Sequence, residues 1–188
     1  MLEIRWHGRG GQGAKTVALL LADAALSAGK SVQAFPEYGP ERMGAPVQSF
    51  NRIDDNRILM HCSIKSPDVV VVLDPTLMAT VKVTAGLKSE GTLLVNTSFS
   101  PDEVKRQTGF GGRVCTVDAS RISEETIGKR IPNTPMLGAL VKVTGALDFE
   151  AMVEDTRQKL AKKFAHRPEV IEGNIESMRR AAREVKAS

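Results

Sequence analysis

The sequence predicts a Rossmann-like α/β fold of three layers, built on a mostly parallel central sheet with a β-hairpin insertion and C-terminal helices. Its opening predicts this first. An alternating segment at residues 2–7 runs into the glycine-rich Gly8-Arg9-Gly10-Gly11-Gln12-Gly13 and then into an Ala- and Leu-rich stretch, which is how a doubly wound domain begins. The second observation is Val69-Val70-Val71-Val72-Leu73, apolar without a break, as a parallel strand covered on both faces must be. The third is that further short apolar segments, Thr92 to Thr97 and Val114 to Asp118, alternate with helix-forming ones.

The elements follow in order. Leu2, Ile4 and Trp6 alternate with Glu3 and Arg5, giving a first strand over 2–7. Val17, Leu20, Leu21, Ala24 and Ala25 stand at helical spacing, and Gly29 stops that helix. Ser31 to Phe35 is a second strand. Residues 35–46 hold three prolines and two glycines, which rules out a regular helix or a central strand. Val47–Ile53 and Arg57–Cys62 flank Asp54-Asp55-Asn56 and read as the two arms of a hairpin. Asp74 ends the valine strand, and Pro75 opens a helix expected over about 76–85. A short helix near 101–106 follows, and Ser123 with Glu124 and Glu125 suits the start of another. Met136 to Val143 reads as a tightly packed apolar helix in which Gly138 permits close approach of a neighbour. Two more helices are expected over 150–163 and 168–186. Residues 1–188 are read as one domain, with 150–188 as its C-terminal helical portion.

Composition narrows the function classes. A formal charge of +4 with only 4% aromatic residues is not the footprint of a nucleic-acid-binding protein. The sequence has no apolar run long enough to cross a bilayer and no signal-peptide pattern at its start, so a cytoplasmic location is expected, with no membrane partner. The two cysteines, Cys62 and Cys115, form no disulfide framework, zinc set or cluster motif. Both are read as buried thiols.

Gly8, Gly10 and Gly13 satisfy G-x-G-x-x-G, with Gly11 as an extra glycine. Such a loop turns tightly and lets backbone N–H groups and the following helix N-terminus face an anion. The alternative is that the glycines only permit close packing of a helix or a partner. Lys15-Thr16 imitates the end of a Walker A loop, but Ala14 intervenes. A dinucleotide site also wants an acid at the end of the second strand, and the first available acid is Glu37, beyond Pro36. Arg42, in the braced loop with Glu37, Tyr38 and Glu41, suits a bidentate bond to phosphate or carboxylate, or an ion pair between subunits.

No catalytic residue or metal ligand is assigned. His7, His61 and His166 are spread through the sequence. His7 abuts the glycine loop and is read as a hydrogen-bonded, partly buried side chain, His61 as a strand residue packed beside Cys62, and His166 as solvated. Asp74 and Asn96 fall at the carboxyl ends of central strands, where functional residues of open sheets gather, and Asp74-Pro75-Thr76 reads equally well as a helix-entry turn. An anion loop and a braced polar loop without a nucleophile–base pair suggest a module that completes a larger assembly.

The segments Gly8 to Gly13, Tyr38-Gly39-Pro40-Glu41-Arg42, Gly44-Ala45-Pro46-Val47 and Asn133-Thr134-Pro135-Met136-Leu137-Gly138 resemble the gamma subunit of 2-oxoacid:ferredoxin oxidoreductases over nearly the whole sequence. The Gly-Ala-Pro after Arg42 is more similar to the pyruvate or branched-chain type than to the 2-oxoglutarate type. The resemblance implies a subunit of an enzyme that turns pyruvate, CoA and oxidised ferredoxin into acetyl-CoA, CO2 and reduced ferredoxin. It implies alpha, beta and delta-type partner subunits that carry thiamine diphosphate, Mg2+ and [4Fe–4S] clusters, with ferredoxin reached through the complex. Carried onto this sequence, Gly8, Arg9, Gly10, Gly11, Gln12 and Gly13 face the anionic parts of CoA, and Arg42 lies toward CoA or the alpha subunit. Two alternatives stay open: a purely structural subunit of the same complex, and a free-standing nucleotide- or dinucleotide-binding protein.

Overall fold

The valine run Val69–Val72 is strand β4, buried at every position. Its β-branched side chains fill both faces of the sheet, so helices or connections must lie on either side. The computed structural model describes residues 1–37 and 44–188. The remaining strands are β1 (Leu2–Arg9), β2 (Ser31–Glu37), β3 (Pro46–Asp54), β5 (Thr92–Asn96), β6 (Arg113–Val117) and β7 (Lys186–Ala187). The helices are α1 (Ala14–Ser27), α2 (Pro101–Thr108), α3 (Ala119–Ile127), α4 (Asn133–Thr144), α5 (Phe149–Lys163) and α6 (Pro168–Glu184).

The sheet order is β2-β3-β1-β4-β5-β6-β7. Strands β1, β4, β5 and β6 are parallel to one another, β2–β3 is antiparallel on the β1 side, and β7 closes the far edge against β6. Helices α1, α3, α4, α5 and α6 cover one face, which takes Ile4 and Trp6 from β1. Helix α2 and the turn after β4 cover the other, which takes Val70, Val72, Leu93 and Val95. This is the expected three-layer α/β fold, with the hairpin and the C-terminal helices in place.

The hairpin has different arms from those expected. The polar turn exists, since Asp54 Oδ1 accepts from Asn56 N at 2.8 Å, but residues 57–62 form no strand. β3 already has a partner on each side. It pairs with β1 from Leu2–Ile53 to Arg9–Pro46 and with β2 from Ser31–Asp54 to Glu37–Gln48, so the proline- and glycine-rich segment is the hairpin's own connection. Stacking of Phe35 on Phe50, with centroids 5.3 Å apart, and the buried guanidinium of Arg52 hold this register. Arg52 donates to Glu3 at 2.7 Å and to Gln33 at 3.2 Å, tying β1, β3 and β2 together. His61 is accordingly exposed and outside any strand, and so is Cys62, while Cys115 is buried as expected.

Two helix readings also shift. Instead of a helix over 76–85, a short 3-10 turn spans Pro75–Ala79; the β-branched Thr80, Val81, Val83 and Thr84 that follow disfavour its extension. α3 starts four residues before its expected cap, because Asp118, not Ser123, accepts from the first-turn N–H of Arg121. Ser123 is buried and bonds to the carbonyls of Ser120 and Lys129.

Trp6 Nε1 donates to Asn51 Oδ1 at 2.8 Å, and Asn51 Nδ2 donates to the Ala18 carbonyl at 2.8 Å. This buried relay locks β1, β3 and α1 into one register, and each member left alone would cost about 1–3 kcal/mol. Across the same core, Gly138 lets α4 lie directly on α6, because a Cβ there would stand 2.3 Å from the Met178 carbonyl oxygen. Gly138→Ala is expected to lower stability by about 3 kcal/mol and Tm by roughly 6–12 °C. Gly111→Ala, where a Cβ meets open space, should leave Tm within about 2 °C of the parent; thermal unfolding of both variants checks this.

Candidate anion-binding site

β1 ends at Arg9, on the carboxyl edge of the parallel strands. From there the chain moves to the β2–β3 side through α1, whereas β4, β5 and β6 lie on the opposite side. The β1–β4 boundary is therefore the topological switch point, where open α/β sheets bind ligands.

The glycines of the loop have distinct tasks. A Cβ on Gly8 would stand 3.3 Å from both Ala14 Cβ and Leu73 Cδ1, so this glycine packs strand against helix. Gly13 has φ +83, and its Cβ would fall 2.5 Å from Asn133 Nδ2, which brings the start of α4 against the start of α1. Gly11 has φ +96, and a Cβ there would meet nothing within 4 Å. Thus Gly8 and Gly13 serve close packing, and Gly11 faces open space.

The α1 ladder begins with Val17 N donating to the Gly13 carbonyl at 2.9 Å. The amides of Ala14, Lys15 and Thr16 lie ahead of it, with no side-chain cap and no acidic residue in the first turn. Together with the helix dipole they present positive potential. They open on a cleft of about 300 Å³. Its facing wall is Pro36 and Glu37 of β2 with Val47, Gln48 and Ser49 of β3. Lys15 lines the cleft as well.

The polar side chains of the loop are bonded on its β4 side, although Arg9 also lines the cleft. Gln12 Oε1 accepts from Arg9 N at 2.8 Å, and Gln12 Nε2 donates to Asp74 Oδ2 at 2.7 Å. Arg9 Nε donates to the same carboxylate oxygen at 3.1 Å, and another guanidinium nitrogen donates to Thr76 Oγ1 at 2.9 Å. Asp74 Oδ1 accepts from the N–H and the hydroxyl of Thr76. Burial acts against the Asp74 carboxylate, but the hydrogen bonds from Thr76 and Gln12 and the charge of Arg9 outweigh it and hold its pKa below the ordinary value. Arg9 also donates to the Gly44 carbonyl at 3.2 Å, and Gly10 N to the Ala45 carbonyl at 3.0 Å. The expected loop residues are thus gathered at one site, while Arg42 lies outside the described residues.

Asp74 was singled out by its place at a strand end, and Thr76 was missed. So were Gln48 and Ser49, whose part in the cleft depends on a β2–β3 pairing that periodicity does not show. Asn96 is a tether: it donates to the Leu73 carbonyl and to Ser120 Oγ, both at 2.8 Å. His7 is more deeply buried than expected, 3% exposed, and its Nε2 lacks a hydrogen-bond partner. Burial first, then the nearby Arg5 cation, pushes its pKa down to about 4. The imidazole is neutral at pH 7.

The strand order separates this cleft from a dinucleotide site. Glu37 does reach the cleft, but antiparallel β3 stands between β2 and β1, where a dinucleotide fold has its second parallel strand. Among the described residues, no group of three or more His, Cys, Asp or Glu side chains could hold a metal ion, and no described helix is long and apolar enough to cross a membrane.

A cleft at the carboxyl end of β1, on the β2–β3 side of the switch point and beside the start of α1, places the chain among α/β modules of the doubly wound class. Residues 3–184 match the family described as pyruvate ferredoxin/flavodoxin oxidoreductase, and the chain belongs to that family. It is 52% identical over 186 residues to pyruvate synthase subunit PorC of Thermotoga maritima, covering 99% of this chain and 95% of that protein. A crystal structure of the pyruvate oxidoreductase subunit PORC from Thermotoga maritima has a TM-score of 0.87 at 50% identity and covers 100% of this chain and 98% of the other. The common gamma subunit of the pyruvate/ketoisovalerate oxidoreductases of Thermococcus kodakarensis is 52% identical over 159 residues, 84% of this chain and 86% of that one.

The buried imidazole makes a stability prediction. Its folded pKa lies below the unfolded value of about 6.5, so the unfolded chain binds the extra proton first as pH falls. The His7 contribution is complete above about pH 6.5 and is lost between there and pH 4; the loss is on the order of 3 kcal/mol. His7→Leu should flatten the stability-versus-pH curve between pH 6.5 and 5, measured by urea unfolding. A parent-like slope in the variant would show that His7 is already charged in the fold.

Proposed function

We propose that this chain is the gamma subunit of a multi-subunit 2-oxoacid:ferredoxin oxidoreductase acting on pyruvate, and that its part is to hold CoA and help assemble the complex. The near full-length likeness to a pyruvate synthase subunit carries the first half of this reading. The cleft carries the second, because CoA is polyanionic and the first-turn amides of α1, Lys15 and the open Gly11 face one volume. When bound, CoA supplies the thiol that accepts the acyl group. Amides of the glycine loop and α1 would hold its phosphates, while Glu37, Gln48 and Ser49 line the opposite wall.

The rest of the chemistry belongs to partner subunits of the alpha, beta and delta type, with ferredoxin as the electron acceptor. Two cysteines, Cys115 buried in β6 and Cys62 exposed beside Arg52, cannot furnish the ligand set of a [4Fe–4S] cluster. Those clusters, thiamine diphosphate and Mg2+ are assigned to the partners. A relative shared by pyruvate and ketoisovalerate enzymes favours one further point: the choice of 2-oxoacid is made on other subunits, and a branched-chain substrate is compatible with this one.

Gly11 provides the test, since its side-chain space is empty. In the assembled complex, Gly11→Asp should raise the Kd for CoA at least about tenfold, because it places a like charge beside the phosphates. Gly11→Asn, of nearly the same shape and under the same backbone strain at φ +96 but without the charge, should raise it several-fold less than Gly11→Asp. Raised salt should shrink the difference between the two. An unchanged Kd for CoA in an assembled Gly11→Asp complex would remove CoA from this cleft and leave a purely structural subunit.

A further inference from the structure

The glycine loop lies between the cleft, which Arg9, Gly10, Gly11 and Gly13 line, and Asp74, which Arg9 and Gln12 bond. Gln12, Asp74 and Thr76 are absent from the cleft lining, yet they meet in one hydrogen-bonded cluster with Arg9, which does line it. The Asp74 carboxylate accepts from Gln12 Nε2 and Arg9 Nε through one oxygen, and from the Thr76 N–H and hydroxyl through the other. Thr76 Oγ1 accepts in turn from Arg9 at 2.9 Å. Gln12 closes the ring by accepting the Arg9 N–H within the loop itself. The same guanidinium also donates to the Gly44 carbonyl.

Three stretches of chain are thereby fixed to one another: the loop after β1, the turn after β4, and the entry to β3. The loop they fix contains Gly10, Gly11 and Gly13, and glycine loses the most conformational freedom on being ordered. Left free, such a loop would have to be ordered by its ligand, which lowers affinity. Held from behind during folding, its amides are set before the ligand arrives. The negative charge that does the holding is matched by Arg9, so it does not oppose an anion on the other side.

We propose that the Arg9–Gln12–Asp74–Thr76 cluster is a positioning device for the acyl-acceptor site, with Asp74 as its hub. It presets the glycine loop, whose backbone amides and those of the first turn of α1 hold the ligand. The proposal rests on the reading that CoA occupies this cleft.

The test uses the complete complex carrying variants of this chain, matched to the parent in subunit composition and Tm. Direct CoA binding is measured by isothermal titration, together with the KM for CoA and for the 2-oxoacid. Gln12→Met removes both side-chain bonds without altering charge. It should raise Kd and KM for CoA about tenfold, a difference of about 1.4 kcal/mol, with kcat and the KM for the 2-oxoacid within about twofold. Thr76→Val should act in the same direction and Thr76→Ser, which keeps the hydroxyl, should restore the parent value. The double variant Gln12→Met/Thr76→Val should be no more than about twofold worse than the worse single one, because both act through Asp74.

Parent-like CoA affinity in Gln12→Met and Thr76→Val overturns the proposal. So does an equal rise in both Michaelis constants, or a Thr76→Ser variant as weak as Thr76→Val, since either describes general loosening. If Gln12→Met does not assemble, the Thr76 pair decides. Gly11→Asp separates the two levels: if it weakens CoA while the cluster variants are silent, the positioning role alone falls; if it too is silent, the CoA reading falls and takes the positioning role with it.

Discussion

Strand β1 has an antiparallel neighbour along its whole length on one side and a parallel one on the other. Pairing with β3 runs from Leu2–Ile53 to Arg9–Pro46, and pairing with β4 runs from Ile4–Val69 to His7–Val72. The strand therefore cannot slide against one partner without breaking its pattern against the other, and a one-residue slip would carry Trp6 to the face now holding Arg5 and His7. The cleft inherits this constraint. The glycine loop emerges at a fixed height on the sheet, level with the turn at Asp74 and with the entry to β3 at Gly44 and Ala45. The hydrogen bonds among those segments need that alignment to form at all.

The two faces of β1 are chemically unlike, and this shapes the module. Ile4 and Trp6 join the large core beneath α1 and the C-terminal helices. On the other face, Glu3, Arg5, His7 and Arg9 form a polar stripe across from Phe50 and Arg52. Arg5 is 7% exposed and donates to the carbonyls of Val83 and Ala85 at 2.9 and 2.6 Å. Its Nε, like His7 Nε2, lacks a hydrogen-bond partner. Burial lowers the pKa of both groups. A buried guanidinium strengthens the case for a neutral His7, because a second cation beside it in a weakly screening interior would be costly.

The parallel core was legible because its signals are local. A continuous valine run and a glycine loop between a strand and an amphipathic stretch both act within a few residues. The hairpin was misassigned for the complementary reason. Asp54-Asp55-Asn56 has turn chemistry and Arg57–Cys62 contains apolar residues, so local rules pair them. The deciding interactions are instead the Phe35–Phe50 stack and the bonds from Arg52 to Glu3 and Gln33, which join residues distant in sequence. The site divides in the same way. Glycines with positive φ announce themselves, and Asp74 stands at a strand end. That Gln12 turns away from the cleft, and that Arg9 is held at its edge, is decided by Asp74 and Thr76, more than sixty residues further along the chain.

These features fit a subunit that contributes position and leaves reactivity to others. Gly11 is open toward the cleft, the side chains of Arg9 and Gln12 are bonded to Asp74, and His7 is buried and neutral. Arg121, Glu125, Arg180 and Glu184 tie α3 to α6 through a network of exposed ion pairs. Single exposed pairs contribute little, whereas a closed ring of several can stiffen the far side of the same core. A cofactor-dependent enzyme draws its hard chemistry from the cofactor and its precision from the protein around it. On the reading proposed above, a glycine loop held in place by the fold would supply that precision for a mobile, highly charged carrier.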